Sequence, residues 1–360
     1  MTIRSDSSAQ LAALIDRVLD ERWKASPPEA AALGIHHYDG LLPAVTPASI
    51  DARIRELRVS LSEVHAISLE GLVRQELFDR DLLLRGLSSE LWELTENCAY
   101  RRDPMALMWP LEATAYLDRH YASVEQRMTS MANLLRAVPT YLVSIRDLLE
   151  PPLAKPVLTQ AIEAYSGLAE FYRTDVAGFA RANLSGNASD EVTSAVQGAA
   201  VAIDSMVLYL RSQEGTANDD FAIGVERYTK MLSLGEMVDL PLSQIESAGV
   251  RELYRHQALV RAAAERIAPG KPLTEAIAIV TKNHPSADCL ITETREMLEE
   301  IRCFTIEHNI ASVISDIRAQ VRETPAFMRW AFAAMDGPGP FEEVATESFY
   351  YVTPVEAHWT

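Results

Sequence analysis

The sequence predicts an all-α protein, an array of long antiparallel helices with at most a short extended segment near the C-terminus. Three observations carry this. Apolar residues recur at a spacing of 3.6 along most of the 360 residues. Glycine is scarce, at 15 of 360, whereas a turn-rich β fold needs it at positive φ. One segment near the end, Phe349 to Thr353, is the sole convincing run of β-formers.

The elements follow in order. Leu11, Leu14, Ile15, Val18, Leu19 and Trp23 form one helical stripe, with Asp16, Arg17, Asp20 and Glu21 opposite. Thr46 as N-cap and Pro47 in the first turn open a second helix, striped by Ile50, Ile54, Leu57, Leu61 and Val64. A third starts after Ser68 and runs to Leu94. Residues 99–120 break the period. Their apolar stretch MALMWPL is too greasy for an exposed loop and reads as a buried crossover. Ser123 and Gln126 form a capping box for a helix that Pro139 should kink or split and that Pro151 and Pro152 stop. Helices are expected at about 156–182, 189–213, 219–233, 273–283 and 288–308. Another starts at Ser243, with Ile245, Val250, Leu253, Leu259, Val260 and Ile267 towards the core. Residues 311–335 read as helix interrupted at Pro325. One helical domain thus covers 1–335, with a division into lobes at about 1–215 and 216–335 left open. Residues 336–360 are a turn, Asp336 to Pro340 (DGPGP), and a strand-like tail with no obvious partner upstream. An under-paired strand there implies an aromatic surface covered by a partner or by self-association.

Composition narrows the function. A net charge of -18 disfavours nucleic acid and anionic membrane surfaces. No run of 18 uncharged apolar residues is present, so no membrane span is expected. Leu11 to Leu19 is interrupted by Asp16 and Arg17, unlike a signal-peptide core. Cys98, Cys289 and Cys303 are odd in number and lack CxxC spacing, which favours reduced thiols and a cytoplasmic location.

Short catalytic motifs are missing: no GxSxG, no Walker loop, no GxGxxG, no HExxH. His36 to Asp39 (HHYD) is the densest polar cluster, but adjacent loop residues rarely converge on one ion, and a turn between Gly34 and Gly40 explains it. Glu307 and His308 read as a helix tail, and Glu356 with His358 offer two ligands where a catalytic zinc takes three. The 337–340 run could cradle an anion, but reads first as a rigid turn. No catalytic, cofactor or metal residue is therefore assigned.

The order of segments resembles the bacterial domain-of-unknown-function family 885. The resemblance rests on Pro28 to Gly34 (PEAAALG), His37 to Gly40 (HYDG) with Leu42 and Pro43, Ile223 to Tyr228 (IGVERY) and Ile245 to Leu253 (IESAGVREL). It is most specific in Thr324 to Phe327 (TPAF), Gly337 to Phe341 (GPGPF) and Tyr350 to Pro354 (YYVTP). The family's likeness to zinc-dependent metallopeptidases implies about 200 further residues, on the order of one domain. These would carry a His-Glu…His zinc helix, so zinc is expected in a missing C-terminal portion and none in this chain. The implied role here is an N-terminal helical portion, inactive alone, that forms part of a substrate cleft. Gly337, Gly339, Phe349, Tyr350, Tyr351 and Thr353 are its candidate residues, with Phe349 to Thr353 binding substrate main chain by strand addition. Expected partners are a peptide-like substrate or a zinc-binding domain or chain. The alternatives are a non-catalytic helical scaffold and, more weakly, a small-ligand sensor.

Overall fold

The structure, a computed structural model, describes residues 6–329, 331–343 and 347–355. It divides into two compact units: the described residues of Met1–Arg227 with Asp316–Thr353, and those of Tyr228–Ser315 with Pro354–Thr360.

The first unit begins with α1 (Asp6–Ala25), α2 (Pro27–Ala32), α3 (Pro47–Ala66) and α4 (Arg74–Trp92). The stripe of α1 meets those of α3 and α4 in a small core of Leu11, Leu14, Val18, Leu57, Val64 and Leu87. Thr46 caps α3 by accepting from the Ser49 amide at 3.2 Å. After α4 the chain passes through a π turn (Glu93–Asn97) and three 3₁₀ turns, spanning Ala99–Arg101, Pro104–Leu107 and Trp109–Leu111. This is the crossover read from the sequence as buried, but burial is partial: Ala106 and Trp109 are exposed. Met108, Leu111 and Ala113 are buried, so its carbonyls need partners. Tyrosines of the following helices supply them: Tyr165 donates to Pro104 O at 2.9 Å, Tyr141 to Leu107 O at 2.8 Å, and Tyr172 to Leu111 O.

Next come α5 (Thr114–Asp118), α6 (Val124–Leu148), α7 (Lys155–Phe171), a π turn at Tyr172–Val176, α8 (Ala177–Asn183) and α9 (Asn187–Ser212). Helices α6, α7 and α9 hold the main core, where Leu135, Val138, Leu142, Tyr165, Leu168, Ile203 and Leu210 are buried. Each large apolar side chain buried there contributes about 1.5–3 kcal/mol. Pro139 does not split α6. It lies on the exposed face, and the buried Leu135, Val138 and Leu142 carry the helix through. By length and composition α9 could cross a membrane. Its apolar stripe is instead buried in the main core, as Ala199, Ile203 and Leu210 show.

The second unit contains most of α10 (Val225–Glu236), with α11 (Leu242–Ile267), α12 (Leu273–Val280) and α13 (Leu290–Glu307). Here the stripe expected to face the core is corrected: Val250, Leu253, Leu259, Val260 and Ile267 are exposed. The buried apolar cluster consists of Ala264, Ala268 and Ala276.

The largest correction concerns 311–335, which is not helical. It contains β1 (Gln320–Glu323), a 3₁₀ turn at Ala326–Met328 and the start of β2 (Ala333–Asp336), and β3 (Phe349–Val352) follows. The sheet order is β1-β3-β2, with β1 parallel and β2 antiparallel to β3. The tail strand is therefore central, paired on both sides, with Phe349, Tyr351 and Val352 buried. Its partners escaped the sequence because Gln-Val-Arg-Glu and Ala-Ala-Met-Asp are nearly free of β-branched and aromatic residues. The sheet is tied to the bundle by Phe327, whose ring meets Phe171 edge-on at 5.2 Å. Gly167 permits that approach: a Cβ there would lie 2.8 Å from Ala326 O.

Candidate functional site

A cavity of about 1260 Å³ opens in the first unit, between α1, α3, α4, the crossover and the sheet. Ala334, Met335 and Asp336 of β2 line it. Ala334 and Asp336 share a sheet face with Tyr351, which also lines the cavity, while Met335 points to the other side, so both that face and the edge of β2 border it. The Thr353 amide donates to Phe332 O at 2.9 Å, which sets the alternation of the ladder. With Ala333 opposite Val352 and Met335 opposite Tyr350, the main-chain groups of Ala333 and Met335 face away from β3. No described residue pairs with them there.

Beside this edge lies a charged cluster. Arg119, with 8% of its side chain exposed, forms an ion pair with Asp336 at 2.7 Å. It also donates to Gly337 O at 2.6 Å and Glu347 O at 3.3 Å. Asp118 pairs with Arg322 and accepts from the Tyr351 hydroxyl at 2.9 Å. The turn carrying Asp118 and Arg119 is fixed by Arg127, a fully buried guanidinium that donates to Tyr116 O at 2.6 Å and Leu117 O at 3.1 Å. Glu112 also lines the cavity and accepts from the Thr114 amide. Burial pushes its carboxyl up, the Thr114 hydrogen bonds pull it down, and the charges of Asp336 and Asp118 add to the rise. Asp336 is raised chiefly by burial, against the pull of Arg119.

A second cluster anchors the turn after β2. His36 stacks on Tyr121 with centroids 3.4 Å apart. Its Nδ1 is 3.2 Å from Asp39 Oδ1 and its Nε2 3.2 Å from Glu342 Oε1. Both nitrogens face carboxylates, an arrangement only imidazolium satisfies with two donors. Burial is the largest influence on His36 and opposes its charge, but Asp39 and Glu342 together raise it above the ordinary 6.5.

The candidate residues from the sequence fall in different places. Tyr351 lines the cavity. Gly337 contributes only a carbonyl to Arg119. Gly339 packs on Leu33, 2.3 Å from Leu33 C to where its Cβ would be. Phe349 is buried beneath Arg322 and Arg119, at 4.3 and 5.8 Å. Tyr350 is half-buried, and Thr353 is hydrogen-bonded to Ala331 O and Thr324 Oγ1 inside the sheet. The strand available for main-chain pairing is β2 rather than Phe349 to Thr353, because β3 already has both neighbours. Glu112, Arg119 and Asp336 were missed. The legible signal was a lone carboxylate directly after the greasy MALMWPL stretch. Among the described residues no group of three His, Cys, Asp or Glu could hold a metal. Glu356 and His358 lie outside the described residues.

The family model for "Bacterial protein of unknown function (DUF885)" matches residues 27–360. The chain belongs to this family. No curated protein matches it. A solved structure titled "a putative lipoprotein of unknown function", from Shewanella oneidensis, superposes with a TM-score of 0.69 at 20% identity, over 99% of this chain and 66% of that one. A second, described as "the putative lipoprotein from Colwellia psychrerythraea", gives 0.72 at 12% identity, over 97% and 68%. At these identities the likeness shows the fold of this DUF885 chain, which spans about two thirds of each solved chain.

Proposed function

We propose that the first unit is the substrate-binding portion of a peptidase-like protein. In this reading an extended peptide adds to the free edge of β2 inside the cavity, and hydrolysis needs a zinc centre that the described residues do not supply. The unpaired edge of β2 along a cavity of about 1260 Å³ carries the reading. Ligand sites commonly span about 300–1,000 Å³, so several peptide residues fit. Strand addition uses main-chain bonds for affinity and leaves side chains to pockets on either face. The described residues do not fit a zinc ion, since no three-ligand group exists among them, and no catalytic step is assigned to them.

Hydrogen exchange tests this. An extended peptide should protect the amides of Ala333 and Met335 while leaving the β2–β3 ladder unchanged. Unchanged exchange at both amides under saturating peptide would refute the cleft. Peptide cleavage by this chain, sensitive to chelator and accompanied by stoichiometric zinc, would refute its inactivity. The second reading is a non-catalytic scaffold, favoured by the exposed stripe of Val250, Leu253 and Val260 in the second unit. Under it the amides stay unprotected.

A further inference from the structure

We infer that the cavity recognises a cationic ligand group, an ammonium, through the carboxylate of Glu112. This deepens the peptide-cleft reading and rests on it.

The charge inventory of the cavity points this way. Four cationic side chains line it, and each already has a carboxylate: Arg22 has Glu29 at 2.6 Å, Lys24 has Asp20 at 2.6 Å, Arg53 has Glu90 at 2.7 Å, and Arg119 has Asp336 at 2.7 Å. No cation is left over for an anionic ligand. On the carboxylate side, Glu93 lacks a cation but is occupied by Asn97 Nδ2 at 2.6 Å and the Ala99 amide at 3.2 Å. Glu112 likewise lacks a cation, and its hydrogen bonds among the described residues come from Thr114 alone, two positions along the same loop. A carboxylate held half-buried beside two further carboxylates is costly to keep charged. Asp118 is matched by Arg322 and Asp336 by Arg119, so the surplus negative charge resides on Glu112. A ligand ammonium would discharge that cost by forming a charge-assisted hydrogen bond.

Placement supports the assignment. Glu112 lines the same cavity as Asp336, the last residue of the free edge strand. A peptide paired antiparallel to β2 would bring its amino end to this point. A lysine side chain reaching from the same peptide offers the same chemistry, and the test separates the two sources.

Three labelled alanine-rich hexapeptides serve as probes of the whole chain: one with a free amino terminus, one N-acetylated, and one N-acetylated with a single lysine. The free or the lysine peptide should bind about 10- to 100-fold tighter than the neutral one, the effect of one charge-assisted bond in a partly desolvated site. Glu112→Gln, with an unchanged thermal melt, should erase that preference while the neutral peptide binds as before. Whichever peptide shows the preference identifies the source of the ammonium. Equal binding of all three overturns the inference and leaves the cleft standing. Tightest binding of a fourth probe, a glutamate-bearing acetylated peptide, overturns it as well. Binding of none refutes the cleft itself and the inference with it.

Discussion

Gly337 and Gly339 lie two positions apart in one turn, yet the same substitution should affect them differently. A Cβ on Gly339 would sit 2.3 Å from Leu33 C and 2.5 Å from Leu33 O, both backbone atoms that cannot swing aside. Nothing lies within 4 Å of a Cβ on Gly337. Gly339→Ala should therefore cost about 1–3 kcal/mol through overpacking, and Gly337→Ala less than about 0.5 kcal/mol, as urea midpoints will show. His36 anchors the same turn by charge. Its folded value is raised above 6.5, so its contribution is fully present below that value and is lost as pH rises through the folded value. The wild type should lose stability on going from about pH 6 to about pH 9. His36→Gln should remove that part of the pH dependence, and an unaltered profile would show that the imidazolium does not hold the turn. The sequence marked His36 to Asp39 as its densest polar cluster. It could not supply Glu342, 306 positions from His36.

Among the elements, α1, α3, α6, α7 and α9 were legible because each buries one stripe, and a stripe is a one-dimensional pattern. The Ser123 capping box and the apolar crossover were legible for similar local reasons. Strands β1 and β2 were not. Each has four residues, and each is a strand because β3 lies beside it. This reverses the expected behaviour of the tail. Its strand is the centre of the sheet rather than a loose edge, so deleting residues 345–360 should not leave the fold intact. Phe349, Tyr351 and Val352 are buried, at about 1.5–3 kcal/mol each, against a total stability of about 5–15 kcal/mol. The deletion should cause a large cooperative loss of thermal stability. A melt within a few degrees of wild type would show that the sheet contributes little.

At the scale of the molecule, the first unit is discontinuous: Asp316–Thr353 returns to the helices of Met1–Arg227. The second unit shows the limit of pattern reading. The stripe of α11 is as clear as that of α1, but Leu11 is buried and Leu253 is exposed. Periodicity says which face of a helix is apolar, not whether anything covers it. The sequence alone determined the helical class, most helix positions, the apolar crossover and the β character of Phe349 to Val352, since each depends on neighbours within a few turns of chain. Only the tertiary structure decided that β3 is central, that the free edge belongs to β2, and that Glu112, Arg119 and Asp336 meet. The sheet depends on pairings between separate segments, such as Gln320 with Phe349 and Ala333 with Val352, and the charged cluster on contacts across more than 200 positions, such as Arg119 with Gly337, 218 residues apart. A local pattern carries no record of what the folded chain brings to its side.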